Sequence, residues 1–362
     1  MLFRETRDRK VHYEYPSLIN GSTRLPAITS LRESEPPPEL ARFAFRSFDR
    51  RWVLLDNRLG DFLRRPLWQT CGDNQVYLTT LLTVELGLGP TAVASAVPPD
   101  MNSFNNRACH TIPLWRNSAA TQPNFPGGLL DSLNGALGHV TAEDFFGYVY
   151  AVLSAPSYVE TFWEELFVPG PRVPITCNAG LFGRASALGR RLLWLHTYGE
   201  RFVPDGFRRG QVSGGRTRCT RGIPTTAEDY PETVLWEADV LRVGQGEFSP
   251  VSKAVWEFSV SDFFVVQSLI RSRLRDGAGK RSSALDEVRP ATWTAEMTQE
   301  LLELLWVVEA TIDAQPELNA SLNEILAGPL FTAAELPHPS EEERRPPVVE
   351  EAGDPHEEMA LE

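Results

Sequence analysis

Arginine carries most of the chemistry open to this sequence. Of 35 basic side chains in 362 residues, only Lys10, Lys253 and Lys280 are lysines. A guanidinium offers a rigid fork of donors that fits a phosphate, a guanine edge or a buried carboxylate in a two-point contact, which an ammonium does not. Three stretches concentrate it. Residues 42–65 hold seven arginines against three aspartates, and residues 201–221 hold six against Asp205. Residues 271–281 hold four more and Lys280 against Asp276. Such clusters predict a face for a polyanion or a set of internal ion pairs, and charge alone leaves both open.

Other reactive groups are scattered. The six histidines stand far apart, and His196 follows Trp194 and Leu195 on a helical pattern, so it reads as a packed, hydrogen-bonded residue rather than a general base. Glu143 with Asp144 and Glu164 with Glu165 are adjacent acids at helix starts, where they complement the helix dipole. Cys71, Cys109, Cys177 and Cys219 form no CxxC pair, which predicts neither a zinc site nor a secreted disulfide framework. Phosphate-loop, dinucleotide-fold, serine-elbow and HExxH patterns are missing. So is the [DNS]PP[YFW] loop with which adenine methyltransferases hold a flipped base, and Pro98-Pro99-Asp100 is no substitute. No catalytic residue, metal ligand or cofactor site is expected in this chain.

The elements that must position these side chains follow from patterning. Residues 1–40, with Pro36-Pro37-Pro38, read as a connector. Residues 41–120 are rich in short β-branched and aromatic runs (FAFRSFDRRWVLL, QVYLTTLLTV, TAVASAV, CHTIPLW) and predict strands. Residues 141–198 predict helices, with capping boxes at Thr141/Asp144 and Ser157/Glu160 and an Asn178 cap. A Gly- and Arg-rich loop covers 200–215, strands follow within 216–258, and helices fill 262–328, near 262–275, 294–313 and 318–326. Trp163, Trp194, Trp256 and Trp306 fall in apolar patterns and are expected in the core. Strands and helices segregate without βαβ alternation, so the fold class is α+β, a mixed-strand domain with interspersed helices and a helical C-terminal part.

The net charge of −13 speaks at first against a nucleic-acid partner. Its placement reverses that. From Leu336 onward nine acids stand against two arginines, so residues 331–362 read as an acidic disordered tail that holds more than half of the charge. The N-terminus is charged and no apolar run reaches membrane-spanning length, which predicts a cytoplasmic protein with no membrane partner.

Several segments together resemble one family. FRSFDRRWVLLDNRL (45–59), RRPLW and QVYLT are followed in order by PPDMNSF, NNR, IPLWRN, PNFPGGLLDSL and TAEDFFGYVYAVLSAPSY. PGPRVPIT, LFGRASALGRRLLWLHTYGERF, PVSKAVWEFSVS, SSALDEVRPATWTAEMTQELLELL and AGPLFTAAEL continue the series. The series is similar to the C-terminal specificity region of Type ISP-like restriction–modification enzymes, which carry an N6-adenine DNA methyltransferase. Two loops depart from the family. Asn102 to Cys109 replaces a loop that tends to carry histidine and glycine, and Ser261-Asp262 replaces Ser-Gly.

The resemblance implies a target-recognition module for double-stranded DNA, separated from its methyltransferase half. It also implies a methyltransferase/helicase partner in cis or in trans, with S-adenosylmethionine expected in the methyltransferase half. The side chains suited to base edges and phosphates are Asn102, Asn105, Asn106 and Arg107 in one loop, and Arg208, Arg209, Arg216, Arg218 and Arg221 around a glycine-rich segment. The family block Phe45, Arg46, Asp49, Arg50, Trp52 and Asp56 reads as structural, with Asp49 expected to pair with Arg46 or Arg50. The alternative is a truncated or decayed remnant that serves only as a protein-docking domain.

Overall fold

A computed structural model of the chain describes residues 17–19, 23–25, 34, 37, 39–55, 65–104, 109–275 and 290–345. Most of the connector, Asp56, Asn105, Asn106, Arg107, Lys280, Arg281 and residues 346–362 lie outside the described residues.

The strands form small antiparallel sheets, consistent with an α+β fold. A short pair, β1 (Ser17–Ile19) and β2 (Thr23–Leu25), precedes the long hairpin of β3 (Glu39–Arg46) and β4 (Asp49–Leu55). After a short helix α1 (Arg65–Gln69) comes a three-stranded sheet of β5 (Tyr77–Thr80), β6 (Ala92–Ser95) and β7 (His110–Pro113), with β5 in the middle. All four β5 residues are buried, as a central strand covered on both faces requires. The QVYLTTLLTV run is a strand only as far as Thr80, after which the chain bends.

Helices α2 (Leu129–Leu137), α3 (Ala142–Ser154), α4 (Tyr158–Thr161) and α5 (Ala179–His196) follow, and α3 and α5 pack against β6. The Thr141/Asp144 capping box is formed in both directions, and Asn178 accepts from Leu181 N. Ser157 makes no cap. Its hydroxyl lies 2.8 Å from Asn319 Oδ1, so a distant partner takes the group that local pattern assigned to α4. α3 and α5 cross at Gly147 and Gly189, where a Cβ on Gly189 would stand 1.8 Å from the Gly147 carbonyl oxygen. Only two bare backbones fit at that crossing.

A four-stranded sheet in the order β8-β11-β10-β9 follows, from β8 (Arg218–Arg221), β9 (Val234–Glu237), β10 (Val240–Val243) and β11 (Gly246–Ser249). Residues 251–258, expected as a strand, instead hold a helical turn, α6 (Lys253–Trp256), capped by the Ser252 hydroxyl. The tight pair β12 (Ser259–Val260) and β13 (Phe263–Phe264) leads into α7 (Val265–Arg273). At its turn Ser261 and Asp262 take φ of 47° and 64°, and Asp262 Oδ1 accepts from Leu88 N at 3.1 Å. Aspartate tolerates the left-handed region better than most residues, and here its side chain also ties down a second loop.

The two helices expected at 294–313 and 318–326 are one 33-residue helix, α8 (Ala295–Ala327), which runs through Pro316. Buried Ala314 and Leu318 flank the proline, and packing on the body offsets the hydrogen bond it cannot donate. One hydrophobic cluster joins α3, α5, α7, α8 and both larger sheets, while Phe43 and Val53 of the hairpin form a second, small one. Trp163 is not in the core but 55% exposed.

Residues 331–345, expected as the start of the acidic tail, make contacts with the body. Phe331 N donates to Ile175 O, and Thr332 with Glu335 boxes a 3-10 turn. Glu343 Oε1 accepts from Gly127 N at 2.7 Å, while Arg116 donates to the carbonyls of Glu343 and Arg345. Backbone groups and one well-placed carboxylate hold residues 331–345 despite their polar composition.

Candidate nucleic-acid interface

The FRSFDRRW block forms the β3–β4 hairpin and its turn. Ser47 and Phe48 make the turn, with Phe48 at φ 64°, so that its ring points into the main core against His196 and Phe258. Tyr198 Oη donates to Phe48 O at 2.7 Å and fixes the strained residue.

Ion pairs clamp the hairpin to the helices. Asp49, 2% exposed, accepts from Arg51 Nη2 at 2.7 Å and lies 3.5 Å from Arg273 Nη2. Arg273 also reaches Glu300 at 2.9 Å, and Arg50 reaches Glu303 at 2.8 Å, both acids on α8. Burial alone would raise the Asp49 carboxyl, but Arg51 and Arg273 outweigh it and hold its pKa below the ordinary 3.8. The sequence offers Arg46 or Arg50 as the partner of Asp49. Asp49 takes Arg51 and Arg273, while Arg46 pairs with Asp100 at 3.4 Å. Arg273 and Glu300 stand far away in sequence, and no local pattern could have found them.

A cleft of about 320 Å³ lies between this turn, β6 and the chain after α5. Five arginines line it, Arg42, Arg46, Arg50, Arg201 and Arg209, against the acids Asp49 and Glu200. Arg42, Arg50 and Arg209 are partly exposed and form its mouth, while Thr79, Val93 and Ala94 are buried and form its floor. Three guanidiniums stack on rings, Arg42 over Trp52, Arg46 over Phe45 and Arg50 over Tyr198, at 4.4, 4.1 and 3.5 Å from the centroids. Arg201 is a brace instead. It is 8% exposed and donates to the carbonyls of Gln75, Glu200, Gly72 and Ala96.

The expected contact residues divide around this cleft. Pro99 and Ser103 line it, while Asn102, on the same turn, does not line it itself and has its N–H bound to Asp100 Oδ1 at 2.6 Å. Arg209 lines it from the 200–215 loop and pairs with Glu200 and Asp73 at 3.0 Å each. Arg208 is exposed, and its guanidinium has no partner among the described residues. The other three are elsewhere. Arg216 makes a two-point pair with Asp313 on α8, Arg218 donates to the carbonyls of Gly215 and Thr217, and Arg221, on the edge strand β8, lies 3.4 Å from Glu247 of β11. The loop approaches α8 because Gly215 has no Cβ to strike Glu309, whose buried carboxylate accepts from Arg216 N and Thr217 N.

His196 is buried between two hydroxyls. Its Nδ1 meets Tyr150 Oη and its Nε2 lies 2.8 Å from Thr311 Oγ1. Burial pushes its pKa down to about 3, so it stays neutral and acts as a brace between α3, α5 and α8. Arg42, Thr79 and the backbone of β6 were not anticipated as site residues. Among the described residues no three His, Cys, Asp or Glu lie together as a metal site would require, and no helix is long and apolar enough to cross a membrane.

Residues 3–304 match the family described as the Type ISP C-terminal specificity domain, and the chain belongs to that family. No curated protein matches the sequence. Among solved structures, one similar fold is that of DrdV in a complex with DNA, with a TM-score of 0.56, 16% identity, and 81% of this chain and 28% of that one covered. A second is a nuclease-deletion mutant of the Type ISP restriction–modification enzyme LlaGI with a DNA substrate mimic (TM-score 0.52, 16% identity, coverage 78% and 24%). A third is the ATP-dependent Type ISP restriction–modification enzyme LlaBIII bound to DNA (TM-score 0.54, 15% identity, coverage 81% and 19%). The chain therefore spans under a third of the length of each, and at these identities the likeness concerns the fold.

Proposed function

We propose that this chain is a DNA target-recognition module of an adenine-specific Type ISP-like restriction–modification system. It works with a methyltransferase/helicase module in cis or in trans, in the cytoplasm, and S-adenosylmethionine belongs to the methyltransferase module. The observation that carries the reading is convergence. The turn that carries Asn102, the loop that carries Arg208 and Arg209, and the arginine-bearing hairpin meet around one cleft, although Arg42 and Arg209 are 167 residues apart. Asparagine and arginine there suit base edges and phosphates, and the solved relatives of this fold are described in complex with DNA. The domain itself does no chemistry. It positions a partner that flips the adenine.

The docking-only reading is favoured by one observation, the exposed Trp163, Phe167 and Val168 close together in sequence. The two readings part in one experiment. The full chain is mixed with a cognate methyltransferase module, and methylation and DNA binding are followed for the unaltered chain and for Arg208→Glu and Asn102→Ala. Recognition predicts that both changes lower target methylation. If neither changes DNA binding or methylation, the domain is a docking domain.

A further inference from the structure

We infer that the cleft is a binding site for a single nucleotide, with the base on its floor and the 5′-phosphate at its mouth. The inference rests on the reading above only for the source of that nucleotide. Size comes first. At about 320 Å³ the cleft matches one small organic group, at the lower end of the roughly 300–1,000 Å³ of small-molecule sites, and is far too small for a duplex. Its floor is apolar, with Val93 and Ala94 suited to pack on the face of a heterocycle.

One polar group interrupts that floor. Thr79, 1% exposed, lines the cleft, and its hydroxyl has no hydrogen-bond partner among the described residues. Its neighbour Thr80 shows what the fold does with an ordinary strand threonine, since that hydroxyl donates to Thr91 O at 2.8 Å. An orphaned buried hydroxyl is costly, and a base edge entering the cleft would satisfy it. The mouth supplies the charge. Arg42 holds Glu300 only at 3.6 Å, and Arg50 uses one nitrogen on Glu303, so both keep donors for a phosphate. Each is already stacked on an aromatic ring, which holds the guanidinium in place at the mouth. Apolar floor, hydroxyl and guanidinium mouth together select a nucleotide over a lone anion or a lone heterocycle.

The test titrates the full chain by calorimetry with the four nucleoside 5′-monophosphates, the matching nucleosides, inorganic phosphate and duplex DNA. At least one monophosphate should bind tenfold or more tighter than its nucleoside and than phosphate. Thr79→Val keeps the shape and removes the hydroxyl, so it should weaken that binding by about 2- to 10-fold. Thr79→Ser should restore it. Displacement by a duplex with one bulged nucleotide identifies a DNA strand as the source, and undisturbed binding identifies a free nucleotide. Monophosphates that bind no tighter than inorganic phosphate overturn the inference, as does unchanged binding by Thr79→Val. If duplex DNA binds in that case, the recognition reading stands alone. If monophosphates bind and duplex DNA does not, the site stands and the recognition reading fails.

Discussion

At the scale of single residues, the ionisable groups hold the interface together more than they face outward. Asp49 stays charged in the core because Arg51 and Arg273 flank it, and its carboxyl is held below 3.8. A depressed folded pKa gives stability that is present above the unfolded value and lost as pH falls through the folded one. Asp49→Asn should therefore cost about 3–5 kcal/mol in urea unfolding at neutral pH, as for one partner removed from a buried pair. The difference from the unaltered chain should shrink below pH 3.8. His196 acts in the window above. With a folded pKa near 3 against 6.5, only the unfolded chain takes up its proton between those values. Stability should fall by up to about 1.4 kcal/mol for each unit by which the pH drops through that window. His196→Gln should remove that component, and pH-resolved thermal unfolding of both chains would show whether it does. The buried, hydrogen-bonded state of His196 was legible from Trp194 and Leu195 beside it. The partners of Asp49 were not, because the arginine two residues on and the one 224 residues on compete with nearer candidates only in the folded chain.

At the scale of elements, local signals succeeded where the competing group was also local. The Thr141/Asp144 box and the Asn178 cap formed as their spacing requires. Ser157 has the same pattern but gives its hydroxyl to Asn319 on α8. Thr141→Ala should cost about 1 kcal/mol of unfolding free energy, as for a lost helix cap. The α6 turn took a strand-like sequence because Ser252 caps it, and α8 ran through Pro316 because its flanks are buried. The crossing of α3 and α5 places the cleft, since Arg201 and Arg209 follow α5 directly. Gly189→Ala would set a Cβ against the Gly147 carbonyl, so it should destabilise by about 1–3 kcal/mol, as overpacking does. Chemical denaturation checks it, and an unchanged midpoint would mean that the helices part freely.

At the scale of the whole molecule, the net charge of −13 misleads because charge is local. Arginine-rich segments converge on one cleft, yet several of their members are internal ties rather than contacts. Arg216 and Arg201 are the clearest cases. The sequence showed the family blocks and the basic loops, but not that the hairpin turn, β6 and the 200–215 loop share one opening. That opening is a product of the α3–α5 crossing and the hairpin clamp, and neither is written in any single segment. The most direct test of the recognition reading is the salt dependence of duplex binding by the full chain, between about 50 and 200 mM salt. We predict a linear fall of log affinity with log salt, and a slope shallower by about 1 in Arg208→Glu, the loss of one phosphate contact. Absence of duplex binding at the lowest salt, or a slope that Arg208→Glu leaves unchanged, would contradict it.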